Sequence, residues 1–225
     1  MQKVLGTILL SALAVGNASA ATVQLIGDSI IYEYDESANS AALALFGAPD
    51  IVGDTVRFLS STFRAESNNG EGAVVETANF VFSRVYSISG GDIMDIEVVE
   101  FGDYEISGGD AAEADVLLTA SSNVDLLDFT SSSDSFDAAG DSGGLMTWQM
   151  QMQVAVDPGA AFSSAANDMA LSLQNTLRAV TDANGETAWI QKKLTLVATT
   201  VPVPAAVWLF GSALGLLGWM RRRAA

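Results

Sequence analysis

Apolar and polar residues alternate along most of this chain with a period of two, framed by a continuous apolar run near each end. The clearest alternation is Trp148, Met150, Met152, Val154 and Val156, interleaved with Thr147, Gln149, Gln151, Gln153 and Asp157. Successive strand residues point to opposite faces, so this stretch predicts an antiparallel strand buried on one side. Ala78, Phe80, Phe82, Tyr86 and Ile88 alternate in the same way, with Arg84 the interruption. Residues 55–59 predict a short strand, and Leu171, Leu173 and Leu177 mark another. Residues 180–190 read as a hairpin about Asp182-Ala183-Asn184-Gly185, since Asn-Gly supplies the positive φ of a tight turn. A helical turn is expected only over residues 38–46. Many short strands separated by turns such as Asn68-Asn69-Gly70 and Gly143-Gly144 predict an all-β body, an antiparallel β-sandwich or jelly roll, over residues 21–200.

The apolar runs at the ends have a different logic. Lys3 gives a short basic start, residues 4–15 are apolar apart from small residues, and Asn17-Ala18-Ser19-Ala20 follows. This three-part order predicts a secretory signal peptide over residues 1–20. Small residues at Ala18 and Ala20 place the cut before Ala21, and imply a signal peptidase and a secretion translocon as partners. At the other end Val201-Pro202-Val203-Pro204 precedes an apolar run over residues 205–220 and then Arg221-Arg222-Arg223. Proline forces extended geometry on its predecessor, so a helix begins only after Pro204. Such a helix over residues 205–220 reaches about 24 Å at ~1.5 Å per residue, slightly short of a hydrocarbon core of about 30 Å. Trp208, Trp219 and the terminal arginines suit the two interfaces of a single transmembrane helix.

Val201-Pro202-Val203-Pro204-Ala205, the apolar helix and the arginine cluster together resemble the PEP-CTERM sorting signal, and most nearly its VPLPA variant. The resemblance covers residues 201–225. It implies recognition by an exosortase-type enzyme, often in organisms that make exopolysaccharide. It further implies passage from a single-pass inner-membrane form to the cell surface or beyond.

Charge narrows the functional classes. All 27 acidic residues lie between Asp28 and Glu186, against six basic ones over residues 21–200, for a formal charge of −21 on that body. Such a surface repels phosphate backbones and excludes nucleic acid as a partner. The chain has no cysteine and no histidine. Disulfides, thiolate nucleophiles, a Ser-His-Asp triad and most transition-metal sites are therefore absent from its repertoire.

Two places suggest calcium. Tyr86-Ser87-Ile88-Ser89-Gly90-Gly91-Asp92 recurs as Tyr104-Glu105-Ile106-Ser107-Gly108-Gly109-Asp110, eighteen residues later. Each Ser-Gly-Gly-Asp reads first as a turn in which glycine takes positive φ. If Gly102-Asp103 is also a turn, both corners share one end of the sheet, and Asp92 and Asp110 would hold one calcium ion. An unbroken strand over residues 93–107 would put them at opposite ends. Asp128, Asp134, Asp137 and Asp141 stud what reads as a solvated Ser-rich loop over residues 130–144. Lys192-Lys193 reads as a charge balance or an edge-strand marker. No cofactor is otherwise expected.

These features point to an exported, membrane-anchored or exosortase-sorted surface or matrix protein without catalytic activity. The alternative is an exported calcium-dependent carbohydrate-binding module or carboxylate-based glycoside hydrolase. Trp148, Trp189 or tyrosines lining a groove beside paired carboxylates would favour that alternative. The same rings buried in the core would favour the first.

Overall fold

The computed structural model describes residues 21–125, 127–156, 159, 162–163, 166–202 and 212–214. The strands are β1 (Thr22–Ile26), β2 (Ile30–Asp35), β3 (Asp50–Val52), β4 (Thr55–Leu59), β5 (Arg64–Asn68), β6 (Gly72–Ser87), β7 (Asp95–Ser107), β8 (Ala111–Ser122), β9 (Phe129–Ala139), β10 (Met146–Ala155), β11 (Asp168–Thr181) and β12 (Thr187–Thr200). A short helix, α1 (Ser40–Phe46), stands where the helical turn is expected. The strands form two antiparallel sheets that face each other. One runs β1-β2-β6-β11-β8-β9; the other runs β10-β7-β12-β4-β3, with β5 on the same edge of β12 as β4.

Alternation explains most of this directly. Trp148, Met150, Met152 and Val154 of β10 are buried, while Gln149, Gln151 and Gln153 face solvent. Leu171, Leu173 and Leu177 of β11 are buried in phase with one another. Between the sheets lies an aromatic cluster in which Phe58 and Phe80 approach to 4.9 Å and Phe46 of α1 packs on Phe58 at 5.3 Å. Edge-to-face rings of this kind add about 0.5–1.5 kcal/mol per pair beyond the area they bury.

Bulges account for two departures from the expected pattern. The register of β6 on β11 slips between Met169 and Leu171, so that Val85 opposes Met169 and Phe82 opposes Leu171. The extra residue in β6 reverses its parity at Arg84. Val85 is buried, Tyr86 turns to the outer face beside Arg84, and Ile88 is exposed. In β12 the register on β7 slips between Lys192 and Leu194. Ala188, Ile190 and Lys192 therefore face inward before the bulge, and Thr195, Val197 and Thr199 after it.

Two further expectations are corrected. The turn before Gly185 forms, with φ +88°, but it does not close a hairpin. β11 already lies between β6 and β8, and β12 between β7 and the β4/β5 edge, so this turn arches from one sheet to the other. The Ser-rich stretch is not a loop either: it is β9, the edge strand beside β8. Its residues alternate between exposed and half-buried, and Phe136 packs on Tyr104 and Trp148 at 5.2 and 6.0 Å.

Among the described residues no helix is long and apolar enough to cross a membrane. Of the expected span 205–220, only residues 212–214 are described. Ala18, Ala20, Val203, Pro204, Ala205, Arg221, Arg222 and Arg223 lie outside the described residues, whereas Ala21, Val201 and Pro202 lie within them.

Candidate functional site

The repeated turns do not converge. β7 is one unbroken strand of 13 residues, so Asp92 precedes one end of it and Asp110 follows the other. At ~3.3 Å per residue they stand about 40 Å apart along the strand, and a shared calcium site is excluded. Gly90 and Gly108 take φ of +72° and +67°, which is the turn role of the repeat. Asp92 Oδ1 accepts the N–H of Ala166 at 3.1 Å, tying its turn to the segment that leads into β11. Among the described residues no three Asp, Glu, His or Cys side chains are grouped to hold a metal.

Asp110 sits instead beside Asp182, with Glu186 nearby, at the arch between β11 and β12. A hydrogen bond shared with Asp182 raises the Asp110 carboxyl above its ordinary range, helped by desolvation and by repulsion from Asp182 and Glu186. A raised folded-state value means stability that is complete below the ordinary carboxylate range and is lost as pH rises through the folded value. Asp182→Asn is therefore expected to raise Tm at neutral pH and to leave it unchanged in acid below that range, read by thermal melting at both.

Asp134 has a structural task. From edge strand β9 it leans inward, and its Oδ2 accepts the N–H of Gln151 at 3.1 Å, on the free edge of β10. One carboxylate thus occupies an edge donor of the opposite sheet and blunts both edges to further pairing. Asp128 is buried and takes the Ser163 hydroxyl at 2.8 Å, and Asp141 accepts the Gly143 N–H at 2.8 Å.

Two clefts open on the outer faces. The larger, about 530 Å³, lies over β8, β9 and β11 and is lined by Asp115, Leu117, Ser133, Ser135, Gln174 and Thr176, with no aromatic residue. The other, about 360 Å³, is lined by Phe101, Asp103, Trp148, Gln149 and Lys193. Its lone carboxylate, Asp103, is held by Lys193. Trp148 is only 3% exposed and donates its indole N–H to the Gln191 carbonyl at 3.2 Å. Of the other rings, Tyr32 and Tyr34 are buried, while Trp189 and Tyr86 each lie under an arginine guanidinium, Arg64 and Arg84, at 4.1 Å.

The feature the sequence reading missed is inside. Lys192 is fully buried on a central strand, and so neither marks an edge nor balances a surface loop. Its Nζ contacts both the Glu100 carboxylate of β7 and Asn175 Oδ1 of β11. Glu100 also accepts the Thr195 hydroxyl at 3.4 Å, and the rings of Phe46 and Phe63 stand 5.4 and 5.5 Å from the amine. Burial pulls the Lys192 amine down to about 8, partly offset by attraction to Glu100. Asn175 Nδ2 is buried with no hydrogen-bond partner. The signal was parity. Glu100 is in phase with Ile96 and Val98, Asn175 with Leu173 and Leu177, and Lys192 with Ala188 and Ile190.

No family model matches this chain, and no curated protein does. One solved structure, described under promiscuous specificity of carbohydrate-binding modules from the β-sandwich superfamily, is 8% identical. The match covers 79% of this chain and 86% of that one, with a TM-score of 0.21. A likeness at that level carries no weight for function.

Proposed function

We propose that this is an exported, non-catalytic surface or extracellular-matrix protein, delivered by a secretory signal and processed at a C-terminal sorting tail by an exosortase-type enzyme. The observation that supports a non-catalytic, non-lectin body is the disposition of its aromatic rings. Trp148, Tyr32 and Tyr34 are buried, and Trp189 and Tyr86 are capped by arginine. Among the described residues no aromatic platform stands beside a pair of free carboxylates. The sandwich itself begins with β1 at Thr22, just after the expected cut, and ends with β12 at Thr200, just before the Pro-x-Pro entry. The two expected addressing segments therefore lie outside the strands of the sandwich.

N-terminal sequencing of surface-fraction protein from an exosortase-bearing host, with a glycan screen of the same material, tests this reading. The expected first residue is Ala21, and the screen is expected to be blank. A mature start that retains Leu5 to Leu13 would overturn the export route. Specific glycan binding lost in Asp103→Asn would replace the inert body with a binding module at the smaller cleft.

A further inference from the structure

An amine, a carboxyl and a carboxamide meet midway between the sheets with almost no exposed surface: Lys192 and Glu100 are 0% exposed, and Asn175 is 1% exposed. Each stands where strand parity calls for an apolar residue. A buried ion pair needs no third partner, yet the Lys192 amine also lies against the amide group of Asn175, whose nitrogen is left without a hydrogen bond. Surrounding rings from Phe46 and Phe63 keep water, the competing nucleophile, out of the contact.

We propose that Lys192 and Asn175 condense into an intramolecular isopeptide bond, with Glu100 carrying the proton. The Lys192 ammonium passes a proton to the Glu100 carboxylate, leaving a neutral amine and a carboxylic acid. The amine lone pair attacks Asn175 Cγ, and the Nζ–Cγ bond forms as Glu100 protonates the developing oxyanion. Glu100 then moves a proton from the new secondary amine to Nδ2, the Cγ–Nδ2 bond breaks and the carbonyl re-forms. The nitrogen leaves as ammonium, Glu100 is again a carboxylate, and no oxidant or cofactor is consumed. Desolvation, which lowers the Lys192 amine to about 8, makes the neutral nucleophile accessible near neutral pH. The unpartnered Nδ2 is the leaving group, so no hydrogen bond is lost when it departs.

The consequence is architectural. β11 is central in one sheet and β12 in the other, so the bond staples the sandwich face to face. A chain without cysteine thereby gains a covalent tie that does not depend on the redox state of its compartment. This inference stands independently of the sorting tail.

Intact mass and a tryptic digest of the full chain decide it. Trypsin cuts after Arg178, between the two reacting residues, so an unlinked chain yields Asn175 and Lys192 on separate peptides. The expected result is one branched peptide containing both, uncut after Lys192, with the chain about 17 Da lighter by the loss of ammonia. Full mass with separate peptides overturns the bond and leaves an ordinary buried ion pair. The same mass loss with separate peptides also overturns it, since a cyclised Asn184-Gly185 would account for that. Glu100→Gln keeps both reacting groups and is expected to abolish the branched peptide. A branched peptide in that variant overturns the role of Glu100. Should the variant fail to fold, the wild-type digest still decides the bond.

Discussion

Lys192→Met is expected to unfold this protein or leave it barely stable. The substitution strips the cation from a Glu100 carboxylate that is fully buried and otherwise touches only the Thr195 hydroxyl, at 3.4 Å. Breaking one side of a buried pair costs about 3–5 kcal/mol, because the remaining charge has neither water nor a partner. In a linked chain, where Lys192 is already a neutral amide, the loss is instead that of a closed loop of roughly 17 residues, worth about 3 kcal/mol on the loop-entropy account. Either loss is a large share of the ~5–15 kcal/mol that holds an ordinary domain folded. The triple variant Lys192→Met/Glu100→Leu/Asn175→Leu is expected to recover most of the ion-pair loss but not the link. Apolar replacement of a whole buried polar group is often neutral or stabilising, and Leu at 175 continues the series Leu171, Leu173, Leu177. Urea melts of the three chains measure this. A single variant as stable as the wild type would contradict the account of the cluster.

Gly102→Val is expected to be strongly destabilising. A Cβ at this position would overlap the Gln191 carbonyl oxygen and come within 2.5 Å of the Trp148 ring. Gly102 lies opposite both Trp148 on β10 and Lys192 on β12, so no movement of one neighbour relieves the clash. Overpacking of this kind costs about 1–3 kcal/mol. The displaced indole also loses its 3.2 Å hydrogen bond to Gln191, worth about 1 kcal/mol more. A fall in Tm accompanied by a red shift of tryptophan emission is the expected signature. Unchanged emission would show that Trp148 does not seal this side of the sandwich.

The strands whose alternation is unbroken were readable from sequence, β10 and β4 most plainly, because one face is apolar throughout. Legibility failed where one inserted residue reversed parity. Arg84 looked like a blemish in a strand that would go on to bury Tyr86 and Ile88, whereas the bulge there buries Val85 instead. Lys192-Lys193 read as a charge balance or an edge marker, yet plain alternation along β12 puts Lys192 inside and Lys193 out. The residues of β9 have low intrinsic strand preference, and that strand exists through its partner β8. The calcium proposal for Asp92 and Asp110 hung on a turn at Gly102-Asp103. Pairing on both sides of β7 keeps that segment straight. The inward phase of Glu100, Asn175 and Lys192 was visible in the sequence, but only the facing of the two sheets brings them together.

The central claim concerns where the sandwich ends up, and protease shaving of spheroplasts tests it most directly. The full chain, tagged at each end of residues 21–225, would be expressed in a host without an exosortase. The uncut tail is then expected to leave a single-pass protein whose orientation is set by arginines retained in the cytoplasm, since acidic residues contribute little to topology. A span slightly shorter than the bilayer is tolerated by snorkelling of cationic ends and local thinning. External protease is expected to remove the tag before β1 and to leave the tag after Arg223 intact. Protection of the first tag with loss of the second would contradict both the topology and the export route on which the proposed function rests.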